Sequence, residues 1–128
     1  MLSLWRASDT SATAGTHGDG LRRLLDADGD ALIVAEINGQ IVGSLIAAWD
    51  GWRGNLYRLA VHPESRRRGL GTALVRAGER RLLARNAARL TAIVADDDPR
   101  ALSFWIAAGY ERQPDRARMI RSASGDLP

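Results

Sequence analysis

The chain contains no cysteine and no lysine among its 128 residues, and it has only two histidines. Without cysteine there can be no disulfide, no thiol nucleophile and no thiolate ligand for a metal. Without lysine, Schiff-base catalysis is excluded as well. Two histidines are too few for a typical histidine-based metal centre, so we expect no metal cofactor. All 18 basic residues are therefore arginines, and the formal net charge is +3.

Long apolar runs are missing too. No segment has the length of a membrane span, and the first six residues are too short for a signal peptide, so we expect a cytoplasmic protein without membrane association. A net charge of +3 is low for a nucleic-acid-binding protein, and we expect no nucleic acid. The length fits one domain, 1–128, in which residues 8–20 form a loop and residues 122–128 a flexible tail.

Hydrophobic spacing changes along the chain between the periods of strands and helices, with turn residues between the segments. Asn38-Gly39 is a strong hairpin signal, and a second short turn at residues 50–54 leads to a third strand. Connections this short join neighbouring antiparallel strands, so an antiparallel meander is predicted. The predicted helices cover residues 21–26, 70–85 and 99–108, and the predicted strands cover residues 31–37, 41–49, 55–61, 90–95, 110–113 and 117–120.

The most informative segment covers residues 57–74. A short apolar strand ends at His62-Pro63, three arginines follow at positions 66–68, and Gly69 and Gly71 open an amphipathic helix. The first amides of a helix have no internal partner and carry partial positive charge. Glycine lets a phosphate approach the backbone, and arginine suits phosphate oxygens. This segment therefore predicts a site for a phosphate-bearing ligand.

Two common phosphate loops do not match this segment. The Walker A loop needs a lysine, which the chain lacks. The dinucleotide fingerprint needs a third glycine or alanine where this chain has Leu74, and it also needs a parallel βαβ unit, whereas the preceding segments predict antiparallel hairpins. Adjacent arginines are more often a solvated surface, but the two glycines at a helix start favour phosphate binding. The remaining motif is Arg66-x-x-Gly69-x-Gly71.

Together with the strand before it, this motif resembles the acetyl-CoA diphosphate signature of the GNAT superfamily of N-acetyltransferases, Gln/Arg-x-x-Gly-x-Gly/Ala. A second segment resembles that superfamily's other landmark, Asn-x-x-Ala, Phe-Tyr and then Gly-Phe or Gly-Tyr; here Asp98 to Ala101, Phe104-Trp105 and Gly109-Tyr110 stand in that order. The resemblance covers about residues 20–121. It implies the GNAT fold, an α+β fold with helices on both faces of a mixed, mostly antiparallel sheet.

The resemblance also implies a reaction and a set of site residues. Acetyl-CoA is the expected cosubstrate, and the acetyl group passes directly to a primary amine of a small molecule or a protein. The backbone of one strand pairs with the pantetheine arm, the basic loop holds the diphosphate, and the second landmark lies near the pantetheine or the thioester. These positions are Leu59, Ala60 and Val61 for the strand, Arg66, Arg67, Arg68, Gly69, Leu70, Gly71 and Thr72 for the loop, and Asp98, Ser103 and Trp105 for the landmark.

The chain departs from the superfamily pattern in three ways. Trp105 stands where many relatives have a tyrosine that acts as the general acid. The strand before the loop also lacks the carboxylate that relatives often have there. The catalytic residues therefore stay open, with Tyr57 and Tyr110 as the candidates for proton transfer. The first strand of the fold is not visible. Either the sheet lacks it, or a partner covers the edge, as in a homodimer, or the assigned start is late.

Several other features have two interpretations. A non-catalytic acyl-CoA sensor is the main alternative to an enzyme, and an RNA-binding protein using residues 66–68 is a weaker one. His62 is a general base or, as we favour, a turn residue. Residues 96–98 are a cation site or, more often, a solvated turn with one capping aspartate. Trp49 and Trp52 line a substrate cleft or cover the sheet.

Overall fold

The computed structural model describes Leu4 and residues 17–121. In this part of the chain a single mixed sheet has the strand order β1-β2-β3-β4, in which only the β3–β4 pair is parallel. The predicted α+β class and mostly antiparallel sheet are confirmed. The elements in chain order are α1 (His17–Ala27), β1 (Leu32–Ile37), β2 (Gln40–Trp49), β3 (Gly54–Val61), α2 (Leu70–Ala84), β4 (Leu90–Ala92) and α3 (Pro99–Ala107).

Tight turns fix the register of the first three strands. Asn38 and Gly39 have φ angles of 52° and 79°, as a two-residue hairpin turn with both central residues in the left-handed region requires. In the second turn, the Asp50 carboxylate accepts hydrogen bonds from the amides of Trp52 (2.9 Å) and Arg53 (2.7 Å). The predicted meander is confirmed, because both turns are specified by residues that lie within the turn itself.

Helices cover both faces of the sheet. Successive residues of a strand point to opposite faces, so Leu45 of β2 packs toward α2 whereas Ile46 packs toward α1. The core on the α2 side also contains Leu56, Leu74 and Trp105. The smaller core on the α1 side consists of Leu4, Ile46 and Ala60, with Leu21, Leu24 and Tyr57 packed against it.

Helix α2 lies unusually close to the sheet at Gly78. A Cβ atom at this position would lie 2.9 Å from Cδ2 of Leu45 and 3.0 Å from Cδ2 of Leu56, which is closer than side chains normally approach. Arg81, one turn later, donates from Nε to the carbonyl of Ala47 over 3.0 Å and forms an ion pair with Asp28. These contacts attach the middle and the end of α2 to the sheet and to the segment after α1.

Some predicted boundaries are wrong. Residues 17–20 belong to α1 instead of the predicted loop, while residues 8–16 and the predicted tail at 122–128 lie outside the described part of the chain. Strand β4 ends at Ala92 instead of residue 95. The predicted strands at 110–113 and 117–120 are coil. Every residue from 111 to 121 is exposed, so this segment has no face to bury against the sheet.

The segment from β3 through α2 to β4 is a parallel crossover unit, which was not predicted around this loop from the sequence. Leu74, which stands where the dinucleotide fingerprint needs a small residue, is buried in the core. No strand precedes β1 within the described ranges, so the three explanations for the missing first strand stay open. Among the described helices, none is both long and apolar enough to cross a bilayer.

Candidate active site

A cleft forms where the two parallel strands β3 and β4 separate. They pair only at Gly54–Leu90, Asn55–Thr91 and Leu56–Ala92, and the amide of Ile93 donates to the carbonyl of Leu56 over 3.2 Å. Beyond this point residues 57–61 form one wall of a cavity of about 1150 Å³, and residues 93–95 form part of the other. The edge of β3 therefore presents backbone groups to the cavity instead of to a neighbouring strand.

A β-bulge lies in the wall that β3 contributes. Ser44 is opposite Ala60 and Ile46 is opposite Tyr57, so one residue of β2 faces two residues of β3. Arg58 takes up the extra residue with a φ of 57°, which costs an arginine about 1 kcal/mol. The buried Ser44 hydroxyl donates to the Arg58 carbonyl at 3.5 Å. Bulges commonly lie beside active sites, where they redirect the chain.

The predicted phosphate loop lies at one end of the cleft. Gly69 has a φ of 76° and immediately precedes α2. The amide of Ala73 donates to the Gly69 carbonyl at 3.0 Å, but in the described chain no backbone acceptor pairs with the amides of residues 67–72. Arg66 donates from Nε to the Val61 carbonyl at 3.1 Å, which fixes the loop to the end of β3. The loop thus offers a group of available amides at a helix N-terminus, where an anion is favoured.

His62 is a turn residue, as we favoured. Its amide donates to the Val42 carbonyl at 2.8 Å, and its Nδ1 accepts from the amide of Glu64 at 3.2 Å. The imidazole therefore caps the short 3-10 turn at Pro63–Ser65. This cap sets the direction in which the chain leaves β3.

Helix α3 contributes the wall opposite β3. The Asp98 carboxylate accepts from the amide of Ala101 at 3.0 Å, and Pro99 occupies the first helical position, as predicted. Phe104 and Trp105 both line the cavity. The Phe104 ring lies so close to Gly71 that a Cβ there would be 3.2 Å from Cε1 of the ring. Gly71 thus permits contact between the start of α2 and α3.

The structure brings most of the predicted cofactor residues together, because all except Arg68 and Ser103 line the cavity. Arg68 lies instead at a separate cavity of about 210 Å³, with His62 and Glu64. Ser103 is exposed, because helical geometry turns it away from the face that carries Phe104. Lining residues that the sequence did not indicate include Arg58, Ile93, Asp97, Arg100 and Arg118.

The family model described as "Acetyltransferase (GNAT) family" matches residues 2–110. The chain belongs to this family. The match begins well before residue 20, the start of the resemblance inferred from the sequence, and it ends at Tyr110. An acetyltransferase of Pectobacterium atrosepticum is 34% identical over 111 residues, which are 87% of this chain and 79% of that protein. An acetyltransferase of Yersinia pestis (strain Pestoides F) is 34% identical over 113 residues, 88% of this chain and 80% of that protein.

Solved structures show the same fold. Aminoglycoside N-acetyltransferase AAC(6')-Iy in complex with CoA superposes with a TM-score of 0.75 at 19% identity, covering 95% of this chain and 86% of that one. Ard1 from Thermoplasma volcanium superposes with a TM-score of 0.73 at 21% identity, covering 85% of this chain and 72% of that one. The predicted GNAT fold is therefore confirmed, and the protein is an acetyltransferase of this family.

Tyr57 is the candidate proton-transfer residue that this GNAT protein places in its cleft. It lines the cavity and is half-buried. Burial raises the pKa of the Tyr57 phenol above its ordinary value, an effect that the nearby Arg58 partly opposes. The hydroxyl is therefore protonated at neutral pH, so it can donate a proton but is a poor base.

Tyr110, the other candidate, lies outside the cavity. Its hydroxyl donates to Oε2 of Glu79 at 2.7 Å, while Nη1 of Arg76 binds Oε1 of the same carboxylate at 2.7 Å. Burial, together with the bond to the Glu79 carboxylate, raises the pKa of Tyr110. The hydroxyl is thus engaged in a contact between α2 and the end of α3 and does not point to the cleft.

The raised pKa of Tyr110 makes the stability of the protein pH-dependent. Folding favours the protonated phenol. The stabilisation that Tyr110 gives the folded state is therefore fully present below the ordinary pKa of 10.0, and it is lost as the pH rises beyond that value. From about pH 9 to about pH 11, the free energy of unfolding should fall more steeply for the wild type than for Tyr110→Phe. Urea denaturation across this range measures the difference, and Tyr57, present in both proteins, cancels. Equal slopes would contradict the assignment.

The three adjacent aspartates have separate roles. Asp98 caps α3, Asp96 forms an ion pair with Arg112, and Asp97 lines the cavity. The described residues contain no group of three or more acidic, histidine or cysteine side chains that could hold a metal. This arrangement agrees with the interpretation of residues 96–98 as a turn with one capping aspartate.

The two tryptophans beside the second hairpin turn do not line the cavity. Trp49 is half-buried and packs against the core on the α2 side of the sheet. Trp52 is 62% exposed, and the Arg53 guanidinium lies 4.0 Å from the centre of its ring. Trp49 therefore covers the sheet, which was one of the two interpretations. The structure supports a role in the substrate cleft for neither tryptophan.

Proposed function

We propose that this acetyltransferase transfers the acetyl group of acetyl-CoA to a primary amine on a small molecule or a protein. The observation that carries the proposal is the cleft between β3 and residues 93–95, which ends at the available amides of residues 67–72. An exposed strand edge followed by a helix N-terminus suits a ligand that has an amide-containing arm and a diphosphate.

The residues present fit acetyl-CoA. The amides of residues 67–72 would hold the diphosphate, with Arg67 adding charge and Arg66 keeping the loop in place. The edge of β3 at residues 59–61 would hydrogen-bond the pantetheine arm as an added strand does. Phe104 and Trp105 supply an apolar wall that excludes water from the arm.

Acetyl-CoA would supply an activated acyl group, so direct transfer to an amine requires no covalent enzyme intermediate. This agrees with the absence of cysteine. The amine must lose a proton, to water or to a base, before it can attack. Tyr57 holds a proton at its hydroxyl oxygen beside the bulge, which makes it our candidate for protonating the departing thiolate.

Replacing Tyr57 by phenylalanine tests this candidate. We expect kcat to fall about tenfold while KM for acetyl-CoA changes little, since a thiolate leaves readily and needs only partial help from an acid. Steady-state kinetics at saturating amine measures both constants. An unchanged kcat would exclude Tyr57 as the proton donor and would leave proton transfer to water.

Two measurements test the function itself. Acetyl-CoA is titrated into the protein by calorimetry, and CoA release is then assayed against a panel of amines that includes small amines, peptides with free N-termini and lysine peptides. Binding with turnover supports the enzyme. Binding without turnover supports the acyl-CoA sensor. The sensor is also favoured by Trp105, because its indole stands where many relatives have the tyrosine that acts as general acid. A protein that binds RNA with a steep salt dependence but no CoA would favour the RNA interpretation.

We also propose that the protein acts in the cytoplasm. A homodimer is the arrangement that would cover the outer edge of β1, since an open strand edge tends to pair with another chain. Size-exclusion chromatography with light scattering tests the dimer. A monomer at micromolar concentration would contradict it.

A further inference from the structure

A polar cluster joins α2 to the end of α3 outside the cleft. The Glu79 carboxylate accepts from the Tyr110 hydroxyl at 2.7 Å and from Nη1 of Arg76 at 2.7 Å. Nη2 of Arg76 donates to the carbonyl of Ala108 at 3.2 Å, just after α3 ends. The Glu79 side chain is only 15% exposed, so water can do little to replace these partners. Bonds to a poorly solvated carboxylate are stronger than bonds between neutral groups.

This cluster is connected to the cleft through aromatic contacts. The Tyr110 ring meets the Trp105 ring edge to face, with 5.0 Å between centroids, and the Tyr110 amide donates to the Trp105 carbonyl at 3.0 Å. Trp105 in turn meets Phe104 edge to face at 5.6 Å. Phe104 packs against Gly71 at the start of α2. Helix α3 is therefore attached to α2 at two points, and Phe104 and Trp105 of α3 line the cavity.

We propose that Glu79, Arg76 and Tyr110 form a positioning cluster that holds α3 at a set distance from β3, and so determines how tightly the cleft binds acetyl-CoA. The inference rests on the proposed function. Helix α3 has nine residues, with Trp105 as its one buried side chain, so packing alone restrains it weakly. Loss of the bond between Tyr110 and Glu79 leaves the Glu79 carboxylate with Arg76 alone, and the wall formed by Phe104 and Trp105 then loses part of its anchor.

Glu79→Gln and Tyr110→Phe test the proposal, with Asp28→Asn as the matched control. Asp28 also pairs with an arginine of α2, Arg81, but neither residue lines the cavity. Calorimetry should show CoA binding weakened about 3- to 10-fold in the two cluster variants, the equivalent of one hydrogen bond, and unchanged in the control. All three variants should lose some thermal stability, so the affinity separates a positioning role from a merely structural one.

Kinetics and a double variant complete the experiment. KM for acetyl-CoA should rise in both cluster variants while kcat stays within about twofold, because the reacting atoms lie elsewhere. The double variant should be no worse than Glu79→Gln alone, since both changes act on the bond between Tyr110 and Glu79. Unchanged affinity together with a lower melting temperature, or affinity lost equally in the Asp28→Asn control, would overturn the positioning role. A wild type that binds no CoA would overturn the proposed function itself.

Discussion

Gly71→Asp is expected to weaken CoA binding by at least about 100-fold, for two physical reasons. A Cβ atom at residue 71 would lie 3.2 Å from Cε1 and 3.4 Å from Cζ of Phe104, so the new side chain pushes α3 away from the start of α2. The carboxylate also lies in the first turn of α2, where it competes with the diphosphate for the same amides. Calorimetric titration with CoA measures the loss.

Two control variants separate these reasons. Gly71→Ala adds the Cβ without the charge, so we expect a loss of only about threefold, because Phe104 needs to move by a few tenths of an ångström. Gly20→Asp adds the same charge to α1, where nothing lies within 4 Å of the new Cβ, and should bind CoA as the wild type does. Wild-type affinity in Gly71→Asp would refute the assignment of this loop to the diphosphate.

Gly78→Leu is expected to destabilise the fold by about 3 kcal/mol or more, as overpacking of a filled core does. Even a Cβ at this position lies 2.9 Å from Leu45 and 3.0 Å from Leu56, and both of these side chains are fully buried. The helix propensity gained by removing a glycine, about 1 kcal/mol, has the opposite sign but is smaller. Urea and thermal denaturation measure the change in the free energy of unfolding.

Ala73→Leu is the matched control for this prediction. Ala73 is on the same helix but is exposed, so leucine there should change the free energy of unfolding by no more than about 0.5 kcal/mol. The pair of variants isolates close packing from the general effect of adding a leucine to α2. Equal stability of Gly78→Leu and the wild type would mean that α2 lies further from the sheet than the structure shows.

Features governed by neighbouring residues could be predicted from the sequence. Asp98 and Pro99 were predicted to begin a helix, and in the structure Asp98 caps it through a bond to a residue only three positions later. Asn38-Gly39 was predicted to form a hairpin, and both residues have the positive φ that this turn needs. The glycines around Leu70 likewise marked the start of α2. In each case the stabilising contact lies within a few residues of the signal.

Features that depend on distant contacts could not be predicted in the same way. The apolar residues Met119 and Ile120 suggested a strand, yet they are 87% and 78% exposed, since local β propensity does not supply a partner strand. The bulge at Arg58 has no sequence signal, because arginine rarely has a positive φ and the register with β2 imposes it. Tyr110 was a candidate for proton transfer, but its hydroxyl donates to Glu79, which lies 31 residues earlier in the chain.

The sequence by itself determined the turns, the helix starts and the row of available amides, because each depends on backbone geometry set by adjacent residues. Only the tertiary structure decided that β3 and β4 separate after three residue pairs, that Phe104 closes on Gly71, and that Arg68 and Ser103 turn away from the cleft. These outcomes depend on how helices pack against the sheet, and packing joins side chains that are far apart in the chain.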